Sequence, residues 1–155
     1  MADQSLTITF LVDQAPREVF DSITNVRGWW SDGLRGRTEK PGDEFTYRHG
    51  DAHRCKIRVT EAIPGRKVSW LVLDNYFDFT EDKTEWIDTT VHFDISSTGG
   101  KTEVHFTHKG LVPEYECFEV CSDGWNFFVG SSLRDLITTG RGQPASWATA
   151  QVAAD

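Results

Sequence analysis

The sequence predicts an α+β protein in which a curved antiparallel sheet wraps around a long C-terminal helix, with short helices after the first strand. Three observations predict it. Six runs in the first 110 residues alternate apolar and polar side chains, the mark of strands with one buried and one wet face and so of an antiparallel sheet. From Tyr115 onward the apolar spacing changes to mainly three and four, a helical period. A sheet with one apolar face needs a cover, and only that last helix is long enough to supply it.

The elements follow in order. Leu6–Val12 (LTITFLV) sets Leu6, Ile8, Phe10 and Val12 against Thr7, Thr9 and Leu11. Ala15–Pro16 opens a helix whose stripe is Val19, Phe20 and Ile23, since proline suits a first helical turn. Gly28 ends this region or introduces another short turn, just before the adjacent rings of Trp29 and Trp30. Neighbouring side chains of a regular element point different ways. The corner is therefore expected to be asymmetric: Trp29 buried and pinning the short helices with Trp30 partly exposed at a cavity mouth, or the two rings in exchanged roles.

Five further strands are expected. Asp43–His49 places Phe45, Tyr47 and His49 on one face, and Arg54–Ala62 places Cys55, Ile57 and Val59 together. Arg66–Asp74 brings Val68, Trp70 and Val72 into phase, with Asp74 continuing it. Thr84–Ser96 aligns Ile87, Thr89, Val91, Phe93 and Ile95, and Lys101–Gly110 aligns Val104, Phe106 and His108. The stretch from Tyr115 to Thr139 reads as one helix with Phe118, Cys121, Trp125, Phe128, Leu133, Leu136 and Ile137 on its apolar side. Gly124 and Gly130 weaken it locally and Gly140 ends it. One domain over residues 1–144 and a loose tail over 145–155, where Trp147 docks at most, complete the organisation.

Composition narrows the function. The chain has 155 residues, 24 acids against 16 bases and a net charge of −8, which argues against nucleic-acid partners and anionic membranes. Arg27, Arg35 and Arg37 cluster around the double tryptophan and read by default as a solvated loop. No apolar run is long enough to span a bilayer, and the N-terminus lacks the features of a secretory signal. Cys55, Cys117 and Cys121 read as free thiols in a reducing compartment. Cytoplasmic residence is the expectation. Six Trp, ten Phe and three Tyr supply a core, and such residues also line apolar pockets.

Familiar chemistry is mostly absent. Thr98–Thr102 (TGGKT) ends like a phosphate loop, but Ile95 stands where the first glycine belongs and strands flank it. His105 and His108 differ by three on a strand and face opposite ways, so they form no zinc site with Cys117 and Cys121. No metal and no cofactor are expected. Ser131 and Ser132 have no evident base. One constellation survives: Tyr47, His49, Asp74 and His108 fall near the inner face at strand ends. His49, Asp74 and His108 are therefore the candidate acid–base residues, with solvated strand ends as the simpler reading. Asp88, His92, Asp94 and Trp86 take the outer phase, Trp86 as an edge cover or interface residue.

The order of elements resembles the helix-grip fold of the START-like, or SRPBCC, superfamily, which includes the birch-pollen allergen, polyketide cyclases and lipid-transfer domains. More narrowly, the chain resembles the family named after the activator of the ninety-kilodalton heat-shock chaperone's ATPase. The residues carrying this are Ala15–Phe20 (APREVF), Gly28-Trp29-Trp30, Pro41–Phe45 (PGDEF), Val59-Thr60-Glu61 with Pro64, Val68-Ser69-Trp70, Thr102-Glu103-Val104, His108–Leu111 (HKGL), Gly124-Trp125, Ser132-Leu133 and Gly140. The resemblance covers residues 6–144 and implies an apolar cavity between sheet and long helix. The chaperone-activator name belongs to a domain within a longer eukaryotic protein.

These readings converge on a domain that binds a hydrophobic or aromatic small molecule. The expected lining is Trp30, Phe45, Tyr47, Ile57, Trp70, Val72, Phe93, Phe106, Trp125 and Phe128. Two alternatives belong to other classes: a chaperone-associated interaction module, and an acid–base enzyme using the same cavity. Binding is favoured over catalysis, and the assembly is a monomer or a homodimer.

Overall fold

The computed structural model describes residues 5–31, 33–49, 53–77, 86–112 and 118–144. The alternating runs form seven strands: β1 (Leu6–Val12), β2 (Arg35–Gly36), β3 (Glu44–His49), β4 (His53–Ile63), β5 (Lys67–Phe77), β6 (Thr90–Thr98) and β7 (Lys101–Lys109). Their pairing is antiparallel throughout, in the order β1-β7-β6-β5-β4-β3-β2. β2 is two residues long, too short to leave a period in the sequence. β6 and β7 join through Gly99 and Gly100, both at positive φ, the backbone that a two-residue hairpin requires. TGGKT is thus a turn between strands.

The helices lie on one face. α1 (Pro16–Thr24) has Pro16 in its first turn and buries Val19, Phe20, Ile23 and Thr24. A 3-10 turn, Val26–Gly28, follows and delivers Trp29 and Trp30. α2 (Phe118–Phe127) runs into a π-helical segment, Phe128–Leu133, and on into α3 (Arg134–Thr139), which Gly140 ends. The apolar spacing of five between Phe128 and Leu133 falls on the π segment, whose wider turn keeps both residues on the sheet side. Cys121, Trp125, Val129, Leu133 and Ile137 are buried against Val59, Val68, Trp70, Val91, Phe93, Val104 and Phe106 from the strands. Seven strands with a long C-terminal helix make the expected helix-grip architecture. Residues 115–117, including Cys117, and the expected tail at 145–155 with Trp147 lie outside the described residues.

One irregularity reorganises the inner face. Lys56 pairs with Asp74 but Ile57 pairs with Val72, so Leu73 is an extra residue in β5. A bulge of one residue reverses the alternation beyond it. Val68, Trp70 and Val72 face inward, and past the bulge the inward residues are Asn75 and Phe77 while Asp74 is exposed. The expectation that Asp74 continues the inner phase is therefore corrected.

Candidate functional site

A cavity of about 350 Å³ lies between α2 and the sheet, walled by Trp30, Tyr47, His53, Phe77, Trp86, Val120, Cys121, Gly124, Trp125 and Phe128. His53 opens β4 and Phe77 closes β5, and the two are register partners. Val120, Cys121, Gly124 and Trp125 come from one side of α2, where residues three and four apart are neighbours. Trp86 precedes β6 in a turn. Trp30 leaves the 3-10 turn with its amide bonded to the carbonyl of Val26 at 2.8 Å.

The rings form two layers. Trp86 stacks on Trp125 with centroids 5.7 Å apart, and Trp30 stacks on Tyr47 at 4.4 Å. Trp30 and Trp125 meet at 5.0 Å and join the layers. The His53 ring fills the corner, 4.4 Å from Phe77 and 4.7 Å from Trp86. Its Nε2 donates to Oδ1 of Asn75 at 2.9 Å.

Burial favours the neutral form of several groups in and behind this site. Burial pushes the Tyr47 phenol well above its ordinary range, and the buried thiol of Cys55 moves the same way. His108, behind Trp86 and Trp125, is fully buried. Burial lowers its pKa to about 3, helped by the charges of His53 and His92. Its Nδ1 accepts from the Trp125 indole at 3.0 Å, and its Nε2 donates to Thr89 at 2.8 Å. Thr89 in turn donates to the carbonyl of Trp86. Such a site can enclose a flat apolar molecule by ring contact and dispersion. Among the described residues no three His, Cys, Asp or Glu side chains converge as metal ligands, and no helix is long and apolar enough to cross a membrane.

Of the residues anticipated as lining, Trp30, Tyr47, Trp125 and Phe128 border the cavity. Phe45, Ile57, Trp70, Val72, Phe93 and Phe106 are buried beneath it. Trp70 stacks on Trp29 at 6.2 Å and on Trp30 at 6.0 Å, and Phe45 and Phe93 each meet its ring at 5.2 Å. These residues form the solid floor of the site, because strand centres lie under the helix while the cavity lies at the strand ends.

The double tryptophan departs from its expected asymmetry. Trp29 is 0% exposed and Trp30 only 3%. Tyr47, Trp70 and Trp125 cover Trp30 on several sides, so it borders the cavity from within the core and not as an exposed lid. The Trp29 indole donates to the carbonyl of Ile23 at 3.1 Å, tying the corner to α1.

The acid–base grouping is not assembled. Asp74 points to the outer face beyond the Leu73 bulge, whereas His108 is bonded at both ring nitrogens inside the core. His49 pairs by its backbone with His53, and its side chain lies outside the described residues. Sequence reasoning missed His53, Phe77, Val120 and Gly124 as wall residues and gave Cys121 only a packing role. It also assigned Trp86 to the outer face of a strand that begins only at Thr90. The bulge leaves no mark in the pattern, so Phe77 and Asn75 carried no inner-face signal.

The family model described as Activator of Hsp90 ATPase homolog 1-like protein matches residues 13–138. Among solved structures, the chain is similar to the Aha1 dimer from Colwellia psychrerythraea, with a TM-score of 0.67 and 22% identity over 88% of this chain and 99% of that one. It is similar to DynU16 from the dynemicin biosynthetic locus, with a TM-score of 0.63 and 18% identity over 91% of this chain and 49% of that one. CalU16 from Micromonospora echinospora gives a TM-score of 0.58 at 14% identity, over 87% of this chain and 76% of that one. At these identities the likeness speaks for the fold. No curated protein matches the sequence significantly.

Proposed function

The chain belongs to the Activator of Hsp90 ATPase homolog 1-like family, and we propose that it binds an apolar, aromatic small molecule in the cavity beneath α2. One observation carries this reading: a cavity of about 350 Å³ whose wall, among the described residues, contains six aromatic residues and one imidazole. Small-molecule sites are concave, mostly apolar and roughly 300–1,000 Å³ in size, so the ligand belongs to the smaller end of that range. Gly124 supports the reading, because a Cβ there would meet no atom within 4 Å, and a glycine inside a helix otherwise only weakens it.

The test is a thermal-shift screen of aromatic and apolar compounds, with mass spectrometry of whatever co-purifies. A ligand of the folded state raises the melting temperature with concentration. A panel without a single saturable shift, together with a protein that carries nothing through purification, rejects the proposal. The family's description supports a chaperone-associated role as a second reading. Unchanged ATPase turnover of the ninety-kilodalton heat-shock chaperone at saturating protein rejects that one.

A further inference from the structure

Among the described residues that wall the cavity, Tyr47 alone carries a hydroxyl. β3 turns this side chain inward, where 6% of it is exposed. Its ring is seated by two other walls of the same cavity. Trp30 stacks on it with centroids 4.4 Å apart, and His53 meets it at 5.4 Å and 65°. Packing therefore fixes the ring, and the hydroxyl proton keeps the freedom to turn toward a partner.

Other polar groups of the wall are committed or sealed. The Trp125 indole donates to His108 at 3.0 Å, and Nε2 of His53 is bonded to Asn75 at 2.9 Å. The Trp86 indole nitrogen is enclosed and has no partner. The Tyr47 oxygen is not one of these enclosed orphans. Burial and the neighbouring Cys55 keep the phenol protonated, and the Trp30 indole acts on its oxygen as a hydrogen-bond donor in the opposite sense. An oxygen that accepts from an indole still carries its own proton, and among the described residues no protein atom takes that proton. Leaving a donor unpaired in an apolar enclosure is costly.

We propose that the cavity selects aromatic molecules bearing a neutral carbonyl oxygen, which accepts the Tyr47 hydroxyl proton, so that Tyr47 is the residue that sets specificity. This specificity rests on the aromatic-ligand reading above and sharpens it. Neutrality follows from the wall, which carries no lysine or arginine among the described residues. An ionised carboxylate would lose its hydration there without gaining a counter-charge. A carbonyl oxygen accepts and never donates, which complements a group with only its proton left to give. A site built to hydrogen-bond its ligand rejects the analogue lacking that bond more sharply than an apolar pocket discriminates by size.

Two matched pairs test the proposal: indane with indanone, and fluorene with fluorenone. Each compound is titrated into the full-length protein and into Tyr47→Phe, with affinity read from tryptophan fluorescence and checked by equilibrium dialysis. The ketone of a pair is expected to bind the parent protein about tenfold tighter than its hydrocarbon, the scale of one hydrogen bond. Tyr47→Phe keeps the ring on Trp30 and removes only the oxygen, so it should cost the ketone that factor and leave the hydrocarbon within about twofold. Comparison within the parent protein needs no variant, so it decides the matter even where Tyr47→Phe fails to fold. Equal affinity of ketone and hydrocarbon in the parent overturns the proposal and leaves the aromatic-ligand reading standing. A preference that survives in Tyr47→Phe also overturns it, by placing the acceptor elsewhere. Saturable binding of neither member of either pair counts against the cavity itself, and the proposal falls with it.

Discussion

The indole N–H of Trp125 donates to Nδ1 of His108 at 3.0 Å, joining α2 to β7 through a bond that only a neutral imidazole can accept. An indole nitrogen is a donor and nothing else, so a proton on Nδ1 would set two donors against each other. Nε2 is held by Thr89, whose hydroxyl also reaches the carbonyl of Trp86. The chain of bonds therefore fixes the charge and the tautomer of a buried histidine, and with them the seating of Trp86 and Trp125, two of the indoles that wall the cavity.

Acid should weaken the fold through this group. Its folded pKa is lowered from 6.5 to about 3, so between those values the unfolded chain binds a proton that the folded chain refuses. The stabilisation is complete above about pH 6.5 and is lost as pH falls from there toward 3, with a slope approaching about 1.4 kcal/mol per unit. His92, half-buried and lowered in the same direction, adds to it. Urea unfolding between about pH 6.5 and 5, above the range where carboxylates titrate, should show this slope, and His108→Gln should flatten it. An equal slope in the variant would assign the effect to other groups.

Gly124 should trade stability against binding. Glycine inside a helix costs about 0.5–1 kcal/mol relative to alanine, and the added Cβ finds open space. Gly124→Ala should raise the melting temperature by about 2–4 °C. Gly124→Leu projects a branched side chain toward the cavity and should abolish the thermal shift of any compound that binds the parent protein. Retention of that shift would place the ligand elsewhere.

Much of the fold was legible because burial imposes a period. Phe45, Tyr47, Cys55, Ile57, Val59, Val91, Phe93, Val104, Phe106 and His108 all face inward as the alternation requires, and the Phe118–Thr139 helical run shows in its spacing. The cavity was less legible, because it is built where periods break. Leu73 inserts one residue and turns Asn75 and Phe77 inward, and Trp86 sits in a turn that obeys no strand phase.

Ser132 should be a stability residue without a catalytic role. Fully buried, its hydroxyl donates to the carbonyl of Trp29 and accepts from the amide of Gln143, both at 2.7 Å. The π segment thereby holds the tryptophan corner and the chain beyond Gly140 at one point. Ser132→Ala leaves one buried acceptor and one amide unpaired, at a cost of about 1–3 kcal/mol. Hydrogen exchange should quicken at the Gln143 amide, and ligand shifts should keep their size. Unchanged stability would mean that water replaces the hydroxyl.

The two adjacent tryptophans should separate by readout even though both are buried. Trp29 stacks on Trp70, meets Phe93 edge-on at 5.8 Å and bonds Ile23, and it has no face on the cavity. Trp29→Phe removes part of a core ring and strands a carbonyl, so it should cost about 2–4 kcal/mol and leave the affinity of the folded protein for any cavity ligand near its original value. Trp30 is itself a wall. Trp30→Phe enlarges the cavity and removes part of the layer on Tyr47, so ligand affinity and preferred ligand size should change along with stability. Affinity measured well below each variant's melting temperature separates the two effects. Equal affinity losses in both variants would mean that the pair acts as one packed unit and that Trp30 has no role of its own at the cavity.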